Sequence, residues 1–269
     1  MERIKDAISK AKQSKQQSGT RPKRRTIKGK PDGTESEDIS YDETKIVKLD
    51  TRHLEANRIV TFDSEDPDSV PFDVLRTQIL KKMQENNWRT LGITSPSPEC
   101  GKTVVTLNLA LSIAKQTDKT TLVVDFDLRK PRVAQYLGLQ GKFSLFDYLE
   151  GNVEIKDILV NPGIPRLVVL PNQTPIKNSA ETLTSRRIKS LVKDLRDRYE
   201  SRIIIFDLPP LMAGDDTMAF LPQVDCVLLI VASGKTKPIE IKESRHMLQS
   251  SNILGVVLNK SSEKHKHYY

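Results

Sequence analysis

Leu91-Gly92-Ile93-Thr94-Ser95-Pro96-Ser97-Pro98-Glu99-Cys100-Gly101-Lys102-Thr103 is the stretch on which the fold turns. Its first four residues read as a short buried strand, and residues 103–116 that follow read as a helix. A phosphate-binding loop needs inward backbone N–H groups, a helix N-terminus, a lysine and a hydroxyl. Gly101-Lys102-Thr103 supplies the last of these at a strand-to-helix junction. The strict pattern also asks for glycine five residues before Gly101, where Pro96 stands.

Outward from this loop the same alternation repeats. Apolar runs occur at 121–124, 167–170, 203–206, 227–231 and 254–258, and helical stretches such as 186–199 and 237–250 lie between them. Val74, Leu75, Ile79, Leu80 and Met83 recur at helical spacing ahead of the first strand. Each run is continuous, so each is expected to be buried on both faces, as in a parallel sheet covered by helices. The fold class is therefore α/β: a P-loop NTPase with an open, mostly parallel sheet and helices on both faces. Ligands of such sheets bind at the carboxyl ends of the strands.

Two further strand ends carry acids. Asp125-Phe126-Asp127-Leu128-Arg129-Lys130-Pro131 follows the run at 121–124. Asp125 and Asp127 are expected to lean to opposite sides of their strand, one toward a metal and the other toward an incoming hydroxyl. Asp207-Leu208-Pro209-Pro210 follows the run at 203–206. An acid closing a buried strand holds the water shell of Mg²⁺ in P-loop enzymes. ATP and Mg²⁺ are the cofactors this combination implies.

The net charge of +8 is uneven. Residues 1–30 carry 11 Lys/Arg and 2 acids, and the other 239 residues sum to −1. The basic character belongs to a tail without interleaved aromatics, which argues against nucleic acid as a partner. Residues 1–50 read as a basic, largely disordered region with a short helix at 2–16 suited to a partner or an anionic membrane surface, and 51–269 as the P-loop domain, ending in a tail at 260–269. There is no apolar signal-peptide core, and no run long enough to span a bilayer, so the reading is cytoplasmic. Two cysteines make no disulfide framework. Cys100, beside Lys102, is a candidate for oxidation.

With these residues in view, the chain resembles the bacterial tyrosine kinases (BY-kinases) of capsule and exopolysaccharide biosynthesis, of the separate, cytoplasmic CpsD/CapB-like type, relatives of the MinD and ParA P-loop ATPases. Asp125-x-Asp127-x-Arg129-x-Pro131 is similar to the family's second, A′ motif, Asp207-x-Pro209-Pro210 to its Walker B, and Asp216 to an acid often found after it. Leu254 to Asn259 is similar to a closing strand whose asparagine contacts adenine. The resemblance implies that Lys102 holds the β- and γ-phosphates, that Thr103 ligates Mg²⁺ with help from Asp125 and Asp207, and that Asp127 is the base for a tyrosine hydroxyl. It implies nucleotide contacts from Cys100, Gly101, Lys102, Thr103, Val104, Arg129 and Asn259, with Arg129 able to orient its motif through an ion pair. Tyr268 and Tyr269 become the phosphoacceptor candidates.

The implied function is an ATP-dependent protein-tyrosine autokinase regulating polysaccharide polymerisation or export. The implied partners are a separate membrane-embedded chain-length activator, further copies of the chain as a homo-oligomer, and other tyrosine-containing proteins. Val70 and Asp73 stand where the family's oligomer helix has Glu and Arg, and only Arg76-Thr77 fits. Two readings without kinase activity stay open: a nucleotide-dependent assembly factor, and a MinD/ParA-like ATPase. The latter needs a lysine four residues before Gly101, where Ser97 stands.

Overall fold

The computed structural model describes residues 45–63, 65–115, 119–198 and 201–262. The basic region up to residue 44, its helix at 2–16, and Tyr268 and Tyr269 lie outside the described residues.

Eight strands form one sheet: β1 (Lys45–Ile46), β2 (Thr90–Thr94), β3 (Thr120–Asp125), β4 (Val160–Asn161), β5 (Leu167–Leu170), β6 (Arg202–Asp207), β7 (Cys226–Ala232) and β8 (Ile253–Asn259). Their order is β1-β4-β5-β3-β6-β2-β7-β8, and every neighbouring pair is parallel except β4 with β5. The helices are α1 (Thr51–Ala56), α2 (Val70–Glu85), α3 (Lys102–Ala114), α4 (Val133–Leu137), α5 (Leu145–Glu150), α6 (Ile155–Ile158), α7 (Ser179–Thr184), α8 (Arg186–Asp197), α9 (Asp216–Phe220) and α10 (Pro238–Met247). No helix among the described residues is long and apolar enough to cross a membrane.

Strand side chains alternate between two cores, one on each side of the sheet. Val123, Ile203, Ile205 and Leu228 join Ile79 and Met83 of α2 and the buried residues of α3. Leu122, Val124, Ile204, Phe206 and Leu229 join Ile188, Leu191 and Leu195 of α8. Phe126, Phe206 and Phe220 close the second core as a cluster with ring centroids 5.0–5.3 Å apart. α3 is buried almost all round, and its Asn108 secures the segment before α2 by accepting from the backbone N–H groups of Val60 and Thr61 at 2.8 and 3.1 Å. Such burial of a continuous apolar helix fixes where its N-terminus stands.

Two expectations are corrected here. β8 is not buried on both faces: it is an edge strand, with Val256 55% and Leu258 61% exposed. An apolar run reports hydrophobicity, not the number of neighbouring strands. Asp125 and Asp127 do not lean to opposite sides either. A strand repeats every two residues, so both fall on the α3 side with Lys102, while Phe126 between them enters the opposite core.

Candidate active site

Register places the carboxylates. Asp125 is level with Asp207 across the β3–β6 pair, and Ile93 of β2 is level with Asp207 on its other side. β2 runs directly into the loop of residues 95–101, so the loop and both strand-end acids share one edge of the sheet. Gly101 begins α3 with φ +89°, a left-handed conformation that favours glycine. A side chain there would collide with the Asn259 amide.

The irregular loop is held by side chains rather than by glycines. Ser95 Oγ and Cys100 Sγ both donate to the Ser97 carbonyl, at 2.8 and 3.2 Å. Asn259 Nδ2 donates to the Cys100 carbonyl at 2.9 Å, which places Asn259 against the loop. Leu211 N and Met212 N donate to the carbonyls of Ser95 and Pro96. Glu99 adopts φ +64°, unusual for a residue with a Cβ. Its carboxylate turns outward to Lys235 Nζ at 2.6 Å, away from the phosphate side. That hydrogen bond and charge, followed by the charges of Lys260 and Arg132, hold its carboxyl below the ordinary value. Val104 sits half-buried in the first turn of α3. The first N–H groups of a helix have no intrahelical acceptor, so this turn offers donors to an anion.

Cys100 is 1% exposed, and its thiol is enclosed by Ser97 and Thr236. This removes the oxidation expectation, because a reactive thiol must be reachable.

At the centre, Lys102 Nζ lies 2.8 Å from Asp127 Oδ2 and 3.6 Å from Asp207 Oδ2. Thr103 Oγ1 donates to Asp207 Oδ2 at 2.7 Å, and Thr106 Oγ1 reaches Oδ1 at 3.3 Å. Asp125 accepts from the backbone N–H groups of Asp127, Arg132 and Val133, at 3.3, 3.0 and 2.9 Å, so it shapes the turn after β3. Asp127 Oδ1 accepts from Lys130 N at 3.0 Å. Burial pushes the Asp125 carboxyl well above its ordinary value, and the charge of Asp207 adds to this. Burial raises Asp207 as well, against the opposing pull of Lys102 and Thr103. Burial also opposes the charge on Lys102, but Asp207, Asp127 and Asp125 outweigh it and keep the amine above its ordinary value.

Three carboxylates thus face one lysine, and the two deepest are strained toward protonation. A divalent cation fits that excess. Among the described residues no three His, Cys, Asp or Glu side chains form a ligand set of their own. A Mg²⁺ ion here would take Thr103 as a direct ligand and most of its shell from phosphate oxygens and water, with Asp207 and Asp125 behind them.

Arg129 lies at the rim. Its guanidinium is 2.7 Å from Asp216 Oδ2 and donates to Ser179 Oγ at 3.0 Å and to the Ala213 carbonyl at 3.3 Å. It ties the loop after β3 to the loop after β6 and does not point at the phosphate turn. Thr106, Ser179 and Lys235 escaped the sequence reading. Thr106 had a signal, one helical turn beyond Thr103; Lys235 and Ser179 had none. Arg76, the residue matching the oligomer helix, is held inside the chain by Asp73 at 2.8 Å and by the Ser112 carbonyl at 3.1 Å.

Comparison with known proteins agrees with this geometry. The family model for an AAA domain matches residues 98–236, just over half of the chain. EpsB of Ralstonia solanacearum is 32% identical over 197 residues, covering 72% of this chain and 26% of that protein. The chain spans about a quarter of the length of the first relatives it matches. The tyrosine-protein kinase YwqD of Bacillus subtilis is 28% identical over 218 residues, 80% of this chain and 91% of that protein. Among solved structures, the VpsO kinase domain is 30% identical, covers 72% of this chain and 97% of its own, and superimposes with a TM-score of 0.64. With its phosphate loop, paired aspartates and closing acid at the ends of adjacent strands, the chain belongs to the bacterial tyrosine kinase family, on an AAA-type P-loop domain.

Proposed function

We propose that the chain transfers the γ-phosphate of ATP to tyrosine, on itself and on other proteins, and so regulates polymerisation or export of a capsule or exopolysaccharide. The observation that carries this is the Lys102–Asp127 contact at 2.8 Å beside the phosphate turn. Positioning and charge neutralisation do most of the work in phosphoryl transfer. Lys102 would hold the β- and γ-phosphates, Thr103 would bind Mg²⁺, and Asp207 would order the water around the ion. Bound Mg²⁺ supplies charge neutralisation for the phosphates. Asp127 is the base that accepts the phenolic proton. Its Oδ2 is engaged by Lys102 in this structure, and triphosphate competing for that lysine would free it for the phenol. Asp125 fixes the turn that carries Asp127. Asn259, beside the loop, faces the nucleotide from the β8 side.

A separate membrane-embedded activator, self-assembly into a homo-oligomer, recruitment to the inner face of the membrane, and Tyr268 and Tyr269 as acceptors belong to the same proposal. One observation favours a second reading: the left-handed Glu99 in place of a glycine suits a nucleotide-dependent assembly factor without transfer to tyrosine. The test incubates the full chain, with the cytoplasmic part of its activator, with γ-labelled ATP and Mg²⁺. Label on tyrosine that disappears in Lys102→Ala and in Asp127→Asn supports the kinase. Tight nucleotide binding without any label supports the assembly factor, and label persisting in both variants removes the assigned mechanism.

A further inference from the structure

Cations surround the phosphate loop, and most of them are already engaged. Lys102 Nζ is held by Asp127 at 2.8 Å and lies 3.6 Å from Asp207. Lys235 is bound to Glu99 at 2.6 Å. Arg129 is bound to Asp216 and Ser179 at the rim. Lys260 differs. It is exposed, and no carboxylate among the described residues stands within ion-pair distance of it.

Backbone geometry puts Lys260 on the loop. The β7–β8 ladder ends where Ala232 is level with Asn259, and the Asn259 carbonyl accepts from Ser233 N at 2.8 Å. Asn259 Nδ2 donates to the Cys100 carbonyl at 2.9 Å, so this strand end is fastened to the residue before Gly101. Lys260 then takes φ +60°, the left-handed region that a long side chain rarely enters. Backbone strain of this kind collects at ligand clamps. The Lys260 Cε comes within 3.9 Å of the position that a Cβ on Gly101 would occupy. The stem therefore lies along the glycine that opens α3, with the ammonium one bond further on.

Electrostatics call for a cation at this place. Asp125, Asp127 and Asp207 already act on Lys102. Triphosphate adds more negative charge than one Mg²⁺ removes, and phosphoryl transfer depends on neutralising that charge. Glu99 adds another acid at the mouth of the loop. Lys235 is the first cation that holds its carboxyl below the ordinary value, Lys260 the second, and Arg132, in the turn after β3, the third. Lys235 is occupied by that contact, whereas Lys260 keeps its ammonium for a ligand.

Resting on the nucleotide-binding part of the reading above, we infer that Lys260 is a phosphate ligand of this site. Two consecutive residues at the end of β8 then serve the loop. Asn259 holds its backbone, and Lys260 donates to oxygens of the polyphosphate bound there, a charge-assisted hydrogen bond. No proton changes hands at Lys260, which binds the nucleotide and leaves the role of base to Asp127.

Titration calorimetry in Mg²⁺ tests this with two ligands, a non-hydrolysable ATP analogue and inorganic tripolyphosphate. The full chain is compared with Lys260→Met and Lys260→Arg. Methionine keeps the stem along Gly101 and removes the charge. Lys260→Met should bind both ligands about tenfold more weakly, as loss of a hydrogen bond to a charged group does. Lys260→Arg should recover most of the affinity. Lys193→Met, at an exposed lysine of α8, controls for net charge and should match wild type. Equal affinities of wild type and Lys260→Met, or an equal loss in Lys193→Met, overturn the inference and leave nucleotide binding standing. A loss for the ATP analogue without one for tripolyphosphate puts Lys260 on the base or sugar and overturns it as well. So does a loss that vanishes in a Glu99→Gln background, because Lys260 then acts on Glu99. Failure of wild type to bind either ligand sinks the nucleotide reading itself. None of these titrations requires transfer to tyrosine, so failure of the kinase reading stays distinguishable from failure of this one.

Discussion

Replacing Lys102 with methionine should destabilise the nucleotide-free chain in a pH-dependent way. Methionine keeps most of the buried stem, so packing loss is small. What disappears is the single cation among Asp125, Asp127 and Asp207, with Nζ 2.8 and 3.6 Å from two of them. Both partners are buried, and removing one half of a buried pair costs about 3–5 kcal/mol. The charge on Lys102 is also the main influence drawing the Asp207 carboxyl downward against burial, and it acts on Asp125 after the backbone N–H of Val133. Without it, both rise further. A carboxyl whose folded value lies above its unfolded one contributes stability that is complete below the unfolded value, near pH 4. That contribution disappears as pH climbs through the folded value. The deficit of Lys102→Met against wild type should therefore be greatest at pH 8 and contract toward pH 5. Urea melts of both proteins at pH 5, 6.5 and 8, without nucleotide or divalent ions, measure it. A loss of about 3 kcal/mol corresponds to a melting temperature roughly 6–12 °C lower for a domain of this size. A pH-independent deficit would refute the carboxylate argument. A variant more stable than wild type at pH 8 would show that the cost of burying Lys102, the first influence on its titration, exceeds its attractions.

Arg129→Ala should strand Asp216, whose side chain is 2% exposed, and lower stability by about 1–2 kcal/mol, with Arg129→Lys recovering part of the loss. Equal urea midpoints for wild type and Arg129→Ala would show that the bridge between the two loops is dispensable. Both thiols should be silent toward Ellman's reagent in the native chain at pH 8, since Cys100 and Cys226 are each 1% exposed and burial pushes the Cys226 thiol up to about 12. Two thiols should titrate on unfolding; one reacting in the folded state would restore Cys100 as a redox-sensitive point.

The parts of the site that were legible in the sequence are those in which one residue's neighbours in the chain determine its place. Asp207 closes a run buried on both faces, and Lys102 begins the helix that the loop feeds, so strand-end position alone located them. The parts that were not legible depend on pairing between distant segments. Nothing near Glu99 announces Lys235, 136 residues away, yet that contact carries the carboxylate away from the phosphate turn. Nothing near Arg129 announces Ser179. β1 and β4 are two residues each, too short for any periodicity, although they extend the sheet beyond β5. The run at 254–258 was misjudged because composition cannot distinguish a central strand from an edge strand. β8 has only β7 beside it, and Val256 and Leu258 remain exposed for that reason. The paired aspartates show the opposite case. Their residue types were sufficient to place them in the site, but leaning them to opposite sides neglected the two-residue period of the strand, which puts both on the side of Lys102. The altered loop follows the same logic. Glycines would have made it self-sufficient, whereas Pro96, Glu99 and Cys100 make its shape depend on Asn259, Lys235 and Leu211, so its integrity is a property of the folded sheet edge rather than of the loop.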